Sequence, residues 1–354
     1  MSLLRSMPSP PIRALNRRTP RVVTNVTGAP RSCRYPLITP QLTSSCCYYS
    51  SSSSSSKFSK MSVSTKQEAE IKRNPHPDFK KVEASRPDFD HGSSFRYTKT
   101  IDPSWTFGSG ANSTQDGTAD KKHISIDPYE PGRPAPFNYK LLISGVVPRP
   151  IGFVSSVSAD GRTRNLAPFS YFNMVNHDPP LFVVGFSSSA ASPKDTLRNI
   201  LETGECVVNI ISEGFVEAAN ATSVDAPYGA SEWDVSGLTP VSDCVGVKAP
   251  RVGEAVFSVE CRLDMHKEYE SRGTPGKKTG CVVILEGTRF WVREDALNED
   301  RSQISPEILK PISRLGGITY GRLTEALEIP RPRFKEDVGG EEGYEKLKKS
   351  DRSA

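Results

Sequence analysis

Residues 149–175 read RPIGFVSSVSADGRTRNLAPFSYFNMV, and the other interpretable segments of the chain are best understood as the surroundings of this one. Its first part, residues 151–157, alternates large apolar with small side chains as a half-buried strand does, and residues 159–162 then supply a hairpin turn. We therefore expect residues 165–173 to pair with the first strand. That segment is apolar and aromatic but contains Pro168, which has no N–H to donate and so marks an edge, a bulge or a strand end.

Backbone groups next to Pro168 are expected to be left unpaired by the sheet. Free N–H and C=O groups beside small side chains suit a flat heteroaromatic ligand whose rim offers donors and acceptors, such as the pyrimidine edge of a flavin. Residues 165–172 are therefore interpreted as an edge strand of the core, as a ligand platform, or as both at once.

Several motifs that follow in order carry a resemblance to a known family. Residues 149–175, then DPPLFVVGFS, SPKDTLRNILETGECVVNII, NATS and GLTP, are similar to the flavin reductase-like family of FMN-binding split β-barrels. The likeness runs over residues 147–317, roughly half of the chain. It implies a mainly β fold, an FMN-binding split β-barrel with a few peripheral helices. It also implies FMN as cofactor, NAD(P)H as electron donor, and a homodimer, because FMN in this family commonly lies near a subunit interface.

The composition divides the chain into four segments. Residues 1–67 hold ten Lys or Arg and no Asp or Glu, together with a serine run, which is typical of a mitochondrial transit peptide; a disordered basic tail is the alternative. Met61 offers a second start that would yield a cytoplasmic form. Residues 68–136 predict a polar arm or linker, residues 137–330 the flavin reductase-like domain, and residues 331–354 a charged tail.

The charge balance reverses when the leader is removed. The chain has 46 basic and 41 acidic residues, a net charge of +5, and loss of the ten leader cations leaves 36 against 41, or −5. This argues against a general basic surface for nucleic acid. No apolar run reaches the roughly 20 residues of a membrane span. The five histidines are scattered and the seven cysteines form no Cys-x-x-Cys pair, so no metal site is predicted and buried, reduced thiols are expected.

One helix is clearly predicted between two of the strands. Ser192 is a plausible N-cap, Pro193 would occupy the first helical position, and Gly204 would end the helix. A second helix is predicted over residues 212–221, and a third over residues 306–315 with a bend at Pro311. Further strands are predicted at residues 181–186, 206–211, 255–261 and 281–285.

The start of the first helix is the candidate phosphate site. Ser192, Lys194 and Thr196 offer two hydroxyls and an ammonium group where the helix dipole is positive and backbone N–H groups are free. The alternative is an ordinary capped helix with a solvated lysine. In the family the matching Lys-Asp-Thr segment lies at the flavin phosphate, so the resemblance implies that this helix start holds the 5′-phosphate of FMN. Asp195 should then turn away from the phosphate and either accept a hydrogen bond or pair with a cation such as Arg198.

The remaining candidate cofactor residues surround the platform. Asn165 and Ser170 are expected to hydrogen-bond FMN, while Leu166, Ala167 and Pro168 present backbone and a small surface to the ring.

Four basic residues have two possible roles each. Arg149 pairs either with the phosphate or with a carboxylate of the fold, and Arg314 shares that ambiguity. Lys277 and Lys278, in the loop over residues 273–280, belong either to a solvated loop or to a patch that receives the phosphates of NADH or NADPH.

The predicted function is that of an FMN-binding oxidoreductase of the NAD(P)H:flavin reductase type, which moves a hydride to flavin N5 and electrons on to an acceptor. No protein acid or base is needed for that transfer, so no catalytic residue is assigned. The alternatives are an electron-transfer flavoprotein and a non-enzymatic flavin-binding module.

Overall fold

The computed structural model describes residues 78–112 and 121–350, and it is built mainly from β-strands. The predicted leader and residues 68–77 lie outside the described residues. The strands are β1 (Arg96–Thr98), β2 (Gly152–Val157), β3 (Arg164–Phe169), β4 (Phe172–His177), β5 (Pro180–Phe186), β6 (Glu205–Ile210), β7 (Pro240–Val241), β8 (Arg251–Val252), β9 (Phe257–Glu270), β10 (Lys278–Val292), β11 (Ile312–Arg314), β12 (Tyr320–Arg322) and β13 (Glu325–Leu327). The α-helices are α1 (Phe79–Ala84), α2 (Ala135–Gly145), α3 (Asp195–Thr203), α4 (Val216–Ala221), α5 (Glu232–Ser236), α6 (Pro306–Leu309) and α7 (Gly340–Ser350).

Seven strands form one antiparallel sheet in the order β3-β2-β6-β9-β10-β5-β4. Its two edge strands, β3 and β4, follow each other in the sequence and are joined only by Ser170 and Tyr171. A flat sheet of this size would hold its edges about 29 Å apart, whereas the connection reaches only about 10 Å. The sheet must therefore curl until its edges meet.

The seam between the two edges stays open. The Phe169 ring of β3 lies 4.7 Å from the Phe186 ring of β5, and the Gly185 N–H donates to the Tyr171 carbonyl at 2.7 Å. Within the described ranges no ladder joins β3 to β4. The single strand predicted over residues 165–173 is therefore two strands, while Pro168 does lie on an edge strand as predicted.

Strand β2 is buried on both faces, not on one as its alternating pattern predicts. Val154 packs into the barrel core, and Phe153 packs into a second cluster with Phe215 and Trp233, whose helical segments cover the outer face of the strand. Gly152 is required by close packing, since a Cβ there would lie 2.7 Å from Cδ2 of Phe172.

The helices differ from prediction at their ends. Helix α3 starts two residues later than predicted, because Lys194 and not Ser192 is its N-cap, but Gly204 ends it in the left-handed conformation as expected. The second predicted helix is present as a 3₁₀ turn followed by α4. The third is wrong beyond Leu309: Lys310 has a φ of 41°, and the chain then turns into β11. A residue before proline avoids the helical region, which accounts for the stop ahead of Pro311.

Parts of the arm contact the domain. β1 pairs in parallel with β13, and the Arg272 guanidinium lies 5.6 Å from the Tyr129 ring centroid. The tail contains α7, which the sequence analysis does not predict. Of the helices that the structure describes, none has the length and apolar character to cross a membrane.

Candidate functional site

Two adjoining cavities open along the edge strand β3. They share Pro168, Phe169 and Lys194. The first cavity has a volume of about 260 Å³ and is bounded further by Arg149, Ser170, Tyr171, Ser187, Arg314 and others. The second has a volume of about 350 Å³ and is bounded further by Asn165, Ala167, Asp195, Thr196, Asp225, Glu232 and others. Together they form a groove that follows the unpaired side of β3.

The unpaired side of β3 offers acceptors to this groove. The Leu166 N–H donates to Glu232 Oε2 at 3.1 Å, so this N–H points away from the partner strand β2. Because backbone direction repeats every second residue in an antiparallel strand, the carbonyl of Pro168 faces the same outer side. Pro168 has no N–H, so this position presents an acceptor without a competing donor.

The N-terminus of α3 reaches the groove without a side-chain cap. Lys194 occupies the N-cap position, is exposed, and makes no capping hydrogen bond, so the N–H groups of the first turn keep no side-chain partner. Thr196 is buried, and its hydroxyl oxygen accepts from Asn165 Nδ2 at 2.7 Å, which leaves the hydroxyl proton available to a second acceptor. An uncapped helix start with an adjacent ammonium group fits an anion such as phosphate.

The two cavities differ in charge. Arg149, Lys194 and Arg314 line the first cavity, and none of its lining residues in the described part of the chain is acidic. The second cavity has Lys194 against three carboxylates, which belong to Asp195, Asp225 and Glu232. The groove is therefore positive at one end and negative at the other.

Asp195, Asp225 and Glu232 form an acidic wall of the second cavity, and Glu232 is its buried member. Burial raises the pKa of its carboxyl group, the nearby Asp195 charge raises that pKa further, and the hydrogen bond from the Leu166 N–H opposes both. No ion pair between Asp195 and Arg198 occurs within the described ranges. The Arg198 guanidinium instead stacks over the Tyr228 ring at 4.2 Å from its centroid.

Arg149 has no carboxylate partner among the residues that the structure describes, and its pairing with the FMN phosphate stays a prediction. Its guanidinium donates to the carbonyls of Ile143 at 2.5 Å, Val146 at 2.7 Å and Leu315 at 2.9 Å. It thereby joins the end of α2 to the segment after β11, and a carboxylate partner is ruled out. Burial lowers the pKa of the Arg149 guanidinium, and its Nε atom is buried without a hydrogen-bond partner.

The predicted cofactor residues fall into three groups. Four line the first cavity, namely Arg149, Pro168, Ser170 and Lys194. Five line the second, namely Asn165, Ala167, Pro168, Lys194 and Thr196. Leu166 lines neither cavity, because its side chain is fully buried in the core cluster around Phe153. Ser192 also lies apart, in the wall of a third cavity.

Tyr139 and Glu232 are among the lining residues that were not found from the sequence. Tyr139 lines the first cavity from α2, and Glu232 lines the second from α5. Neither residue belongs to a motif, and Glu232 reaches Leu166 across 66 positions of sequence. No cluster of His, Cys, Asp or Glu within the described ranges has the arrangement to hold a metal ion.

Comparison with known proteins identifies the family. The profile of the flavin reductase like domain matches residues 144–306. The chain is 36% identical over 194 residues to the uncharacterized protein YwrF of Bacillus subtilis, covering 55% of this chain and 93% of that one.

Two solved structures are also similar. The crystal structure of nitrilotriacetate monooxygenase component B from Bacillus cereus shares 38% identity with a TM-score of 0.55, covering 59% of this chain and 100% of that one. The 2-nitrobenzoate 2-nitroreductase NbaA from Pseudomonas fluorescens shares 31% identity with a TM-score of 0.50, covering 60% and 98%. The chain therefore belongs to the flavin reductase-like family of split-barrel, flavin-binding oxidoreductases.

Proposed function

We propose that this protein binds FMN along the groove beside β3 and acts as an NAD(P)H oxidoreductase of the flavin reductase type. The observation that carries the proposal is the position of Lys194 and the uncapped start of α3 at the junction of the two cavities. The chemistry that FMN supplies is acceptance of a hydride at N5 from NADH or NADPH and delivery of electrons to an acceptor.

The residues of the groove have distinct tasks in this proposal. Lys194 and the free N–H groups of α3 hold the 5′-phosphate at the junction. The ring lies in the first cavity, where the Pro168 carbonyl accepts from a ring N–H and Ser170 supplies a second polar contact. Arg149 and Arg314 place positive charge on the wall of that cavity, which favours added negative charge on the ring.

Asn165 and Thr196 are assigned a supporting task. Both are buried, at 4% and 1% exposure, and they hydrogen-bond each other across β3 and α3. This pair fixes the helix start against the edge strand, and Thr196 keeps a proton to donate to the phosphate.

A homodimer is part of the proposal. Several apolar side chains on the edge strand β4 and near the end of α2 are exposed, namely Leu142, Val146, Met174 and Val175. Exposed apolar side chains on these two segments are consistent with contact to a protein partner. A second copy would cover this surface, and light scattering of the purified protein would measure its mass; a monomer with FMN bound would contradict the dimer.

The phosphate assignment is tested by comparing FMN with riboflavin, which has the same ring and no phosphate. Charge-assisted hydrogen bonds contribute about 1.5–3 kcal/mol, so Lys194→Ala should weaken FMN binding about tenfold and leave riboflavin nearly unchanged. Lys346→Ala, which removes an exposed lysine of α7, is the matched control. Equal losses for both ligands would place the phosphate elsewhere.

The reaction is tested separately by anaerobic addition of NADH or NADPH to the FMN-bound protein. Loss of the yellow colour is the expected result. Colour that persists with both nucleotides would support an electron-transfer flavoprotein, and a protein that FMN neither colours nor stabilises would contradict flavin binding.

A further inference from the structure

A third cavity adjoins the far side of the first. It has a volume of about 460 Å³, within the usual range of about 300–1,000 Å³ for small-molecule sites, and it shares Tyr139 and Ser187 with the first cavity. One wall is the serine-rich turn that follows β5, and the other is the start of β10 with Lys277 and Lys278. If the first cavity holds the flavin ring, the third cavity offers a second reactant a binding site next to that ring.

The serine wall presents hydroxyl donors. Ser188 Oγ accepts from the Lys194 N–H and Ser189 Oγ accepts from the Ser192 N–H, each at 3.3 Å. Each of these two hydroxyl oxygens therefore accepts from a backbone N–H, and each hydroxyl can still donate its own proton to a ligand. A ligand rich in oxygen acceptors, such as a sugar phosphate, matches this wall.

The two walls are tied together by Glu268 of β9. Its carboxylate accepts from the Ala190 N–H at 2.7 Å and also pairs with the Lys278 ammonium group. The Lys278 hydrogen bond, followed by the Ala190 hydrogen bond, lowers the pKa of Glu268. The charge of Lys278 is therefore already balanced inside the protein.

Lys277 is the cation that remains. It is exposed, and no ion pair to its side chain occurs among the residues that the structure describes. Its backbone is fixed at the hairpin tip, where its N–H donates to the Thr274 carbonyl at 3.2 Å and its carbonyl accepts from the Ser271 N–H at 2.8 Å. Arg272 adds a second positive charge on the same hairpin.

The hairpin keeps an excess of positive charge overall. Its cations are Arg272, Lys277 and Lys278, and the carboxylates that touch it are Glu268 and Glu270; Glu270 Oε1 accepts from the Gly276 N–H at 2.5 Å. NADPH differs from NADH by a 2′-phosphate with close to two negative charges, so it gains more from this excess of positive charge than NADH does.

We propose that the third cavity receives the phosphate-bearing adenosine half of the nicotinamide nucleotide, and that Lys277 binds the 2′-phosphate and gives NADPH preference over NADH. This inference rests on the proposed reductase function for the direction of the reaction. The predicted binding of the nucleotide does not rest on that function, because a 2′-phosphorylated nucleotide should bind the cavity whether or not the flavin is reduced.

The first experiment measures kcat/KM for reduction of the FMN-bound protein by NADPH and by NADH at low ionic strength. The wild type should prefer NADPH at least tenfold. Lys277→Gln should lower kcat/KM for NADPH about tenfold, mainly through KM, and should change the value for NADH less than twofold. The preference should shrink as salt is added, because Lys277 is exposed. Lys346→Gln, which removes a different exposed lysine, should leave both values unchanged.

The second experiment measures binding of adenosine 2′,5′-bisphosphate and of 5′-AMP to the FMN-bound protein by calorimetry. The bisphosphate should bind at least tenfold more tightly, and Lys277→Gln should remove most of that difference. If the bisphosphate binds in this way while neither nucleotide reduces FMN, the site stands and the reductase function fails. Equal binding of the two probes, a wild-type preference for NADH, or equal loss with both nucleotides in Lys277→Gln would overturn the proposal.

Discussion

Glu260 makes a sharp stability prediction because its carboxylate is fully buried and surrounded by donors. Oε1 accepts from the Val245 N–H at 2.9 Å and from Trp291 Nε1 at 2.8 Å, while Oε2 accepts from the Gly246 N–H at 2.6 Å. Glu260→Gln keeps the shape but has one acceptor oxygen and one NH₂ group. Whichever way the amide turns, its NH₂ group faces at least one partly buried N–H that then lacks an acceptor.

The cost of this substitution can be estimated from its parts. One unsatisfied buried donor costs about 1–3 kcal/mol, and loss of the charge weakens the remaining hydrogen bonds by about 1 kcal/mol. Glu260→Gln should therefore lower the free energy of unfolding by about 2–4 kcal/mol in urea titrations at pH 7. Glu286→Gln, an exposed position on the adjacent strand β10, is the control and should change it by less than about 0.5 kcal/mol.

The pH dependence gives an independent check. Burial would raise the pKa of Glu260, but the hydrogen bonds from Val245, Trp291 and Gly246 outweigh it and hold that pKa below its ordinary value of 4.5. The stability contributed by the ionised group is present above 4.5 and is lost as the pH falls through the lowered pKa. The difference between wild type and Glu260→Gln should shrink in that acid range. Equal stability of the two proteins at pH 7 would refute the reasoning.

Three further predictions follow from single contacts or from composition. Gly152→Ala places a Cβ against Phe172 and should cost about 1–3 kcal/mol of unfolding free energy, measured in urea; no loss would contradict the packing. Glu232→Gln keeps an oxygen that accepts from the Leu166 N–H. Because the pKa of the Glu232 carboxyl is raised, its ionisation lowers the free energy of unfolding as the pH rises above 4.5. At pH 8 the substitution should therefore leave the free energy of unfolding unchanged or raise it, and it should tighten FMN binding a few-fold. Residues 1–67 fused to a fluorescent reporter should direct it to mitochondria, and a diffuse signal would argue against a transit peptide.

The sequence predicts the parts of this fold that depend on local pattern. Strands β5 and β6 fall within one residue of their predicted starts and ends, because each is a short apolar run bounded by turn residues. The edge position of β3 follows from the missing N–H of Pro168, and the end of α3 follows from Gly204. Each of these features is decided by one or two residues and their immediate neighbours.

The features that sequence reasoning missed depend on distant contacts. The burial of β2 on both faces requires Phe215 and Trp233 to cover it, and the partners of Arg149 are carbonyls from segments as far as 166 positions away. The N-cap of α3 is Lys194 and not the predicted Ser192, because residues 188–194 form a turn in which the Lys194 N–H donates to Ser188 Oγ. None of these contacts leaves a periodic or compositional signal.

The division of charge along the groove bears on which flavin the protein takes. A phosphate at the junction meets Lys194 and the helix N–H groups, with the cations of the first cavity on one side and Asp195, Asp225 and Glu232 on the other. A flavin with a second phosphate must place that phosphate either back over the ring in the first cavity or beside the three carboxylates in the second cavity. Like charges in a partly buried cavity are costly, and burial of Glu232 makes its ionised form costlier still. FMN, which ends at its single phosphate, avoids this repulsion, whereas FAD would meet it if its second phosphate extended into the second cavity. The three carboxylates thus support the proposal of FMN as the cofactor, and two of them, Asp225 and Glu232, belong to no motif that the sequence analysis found.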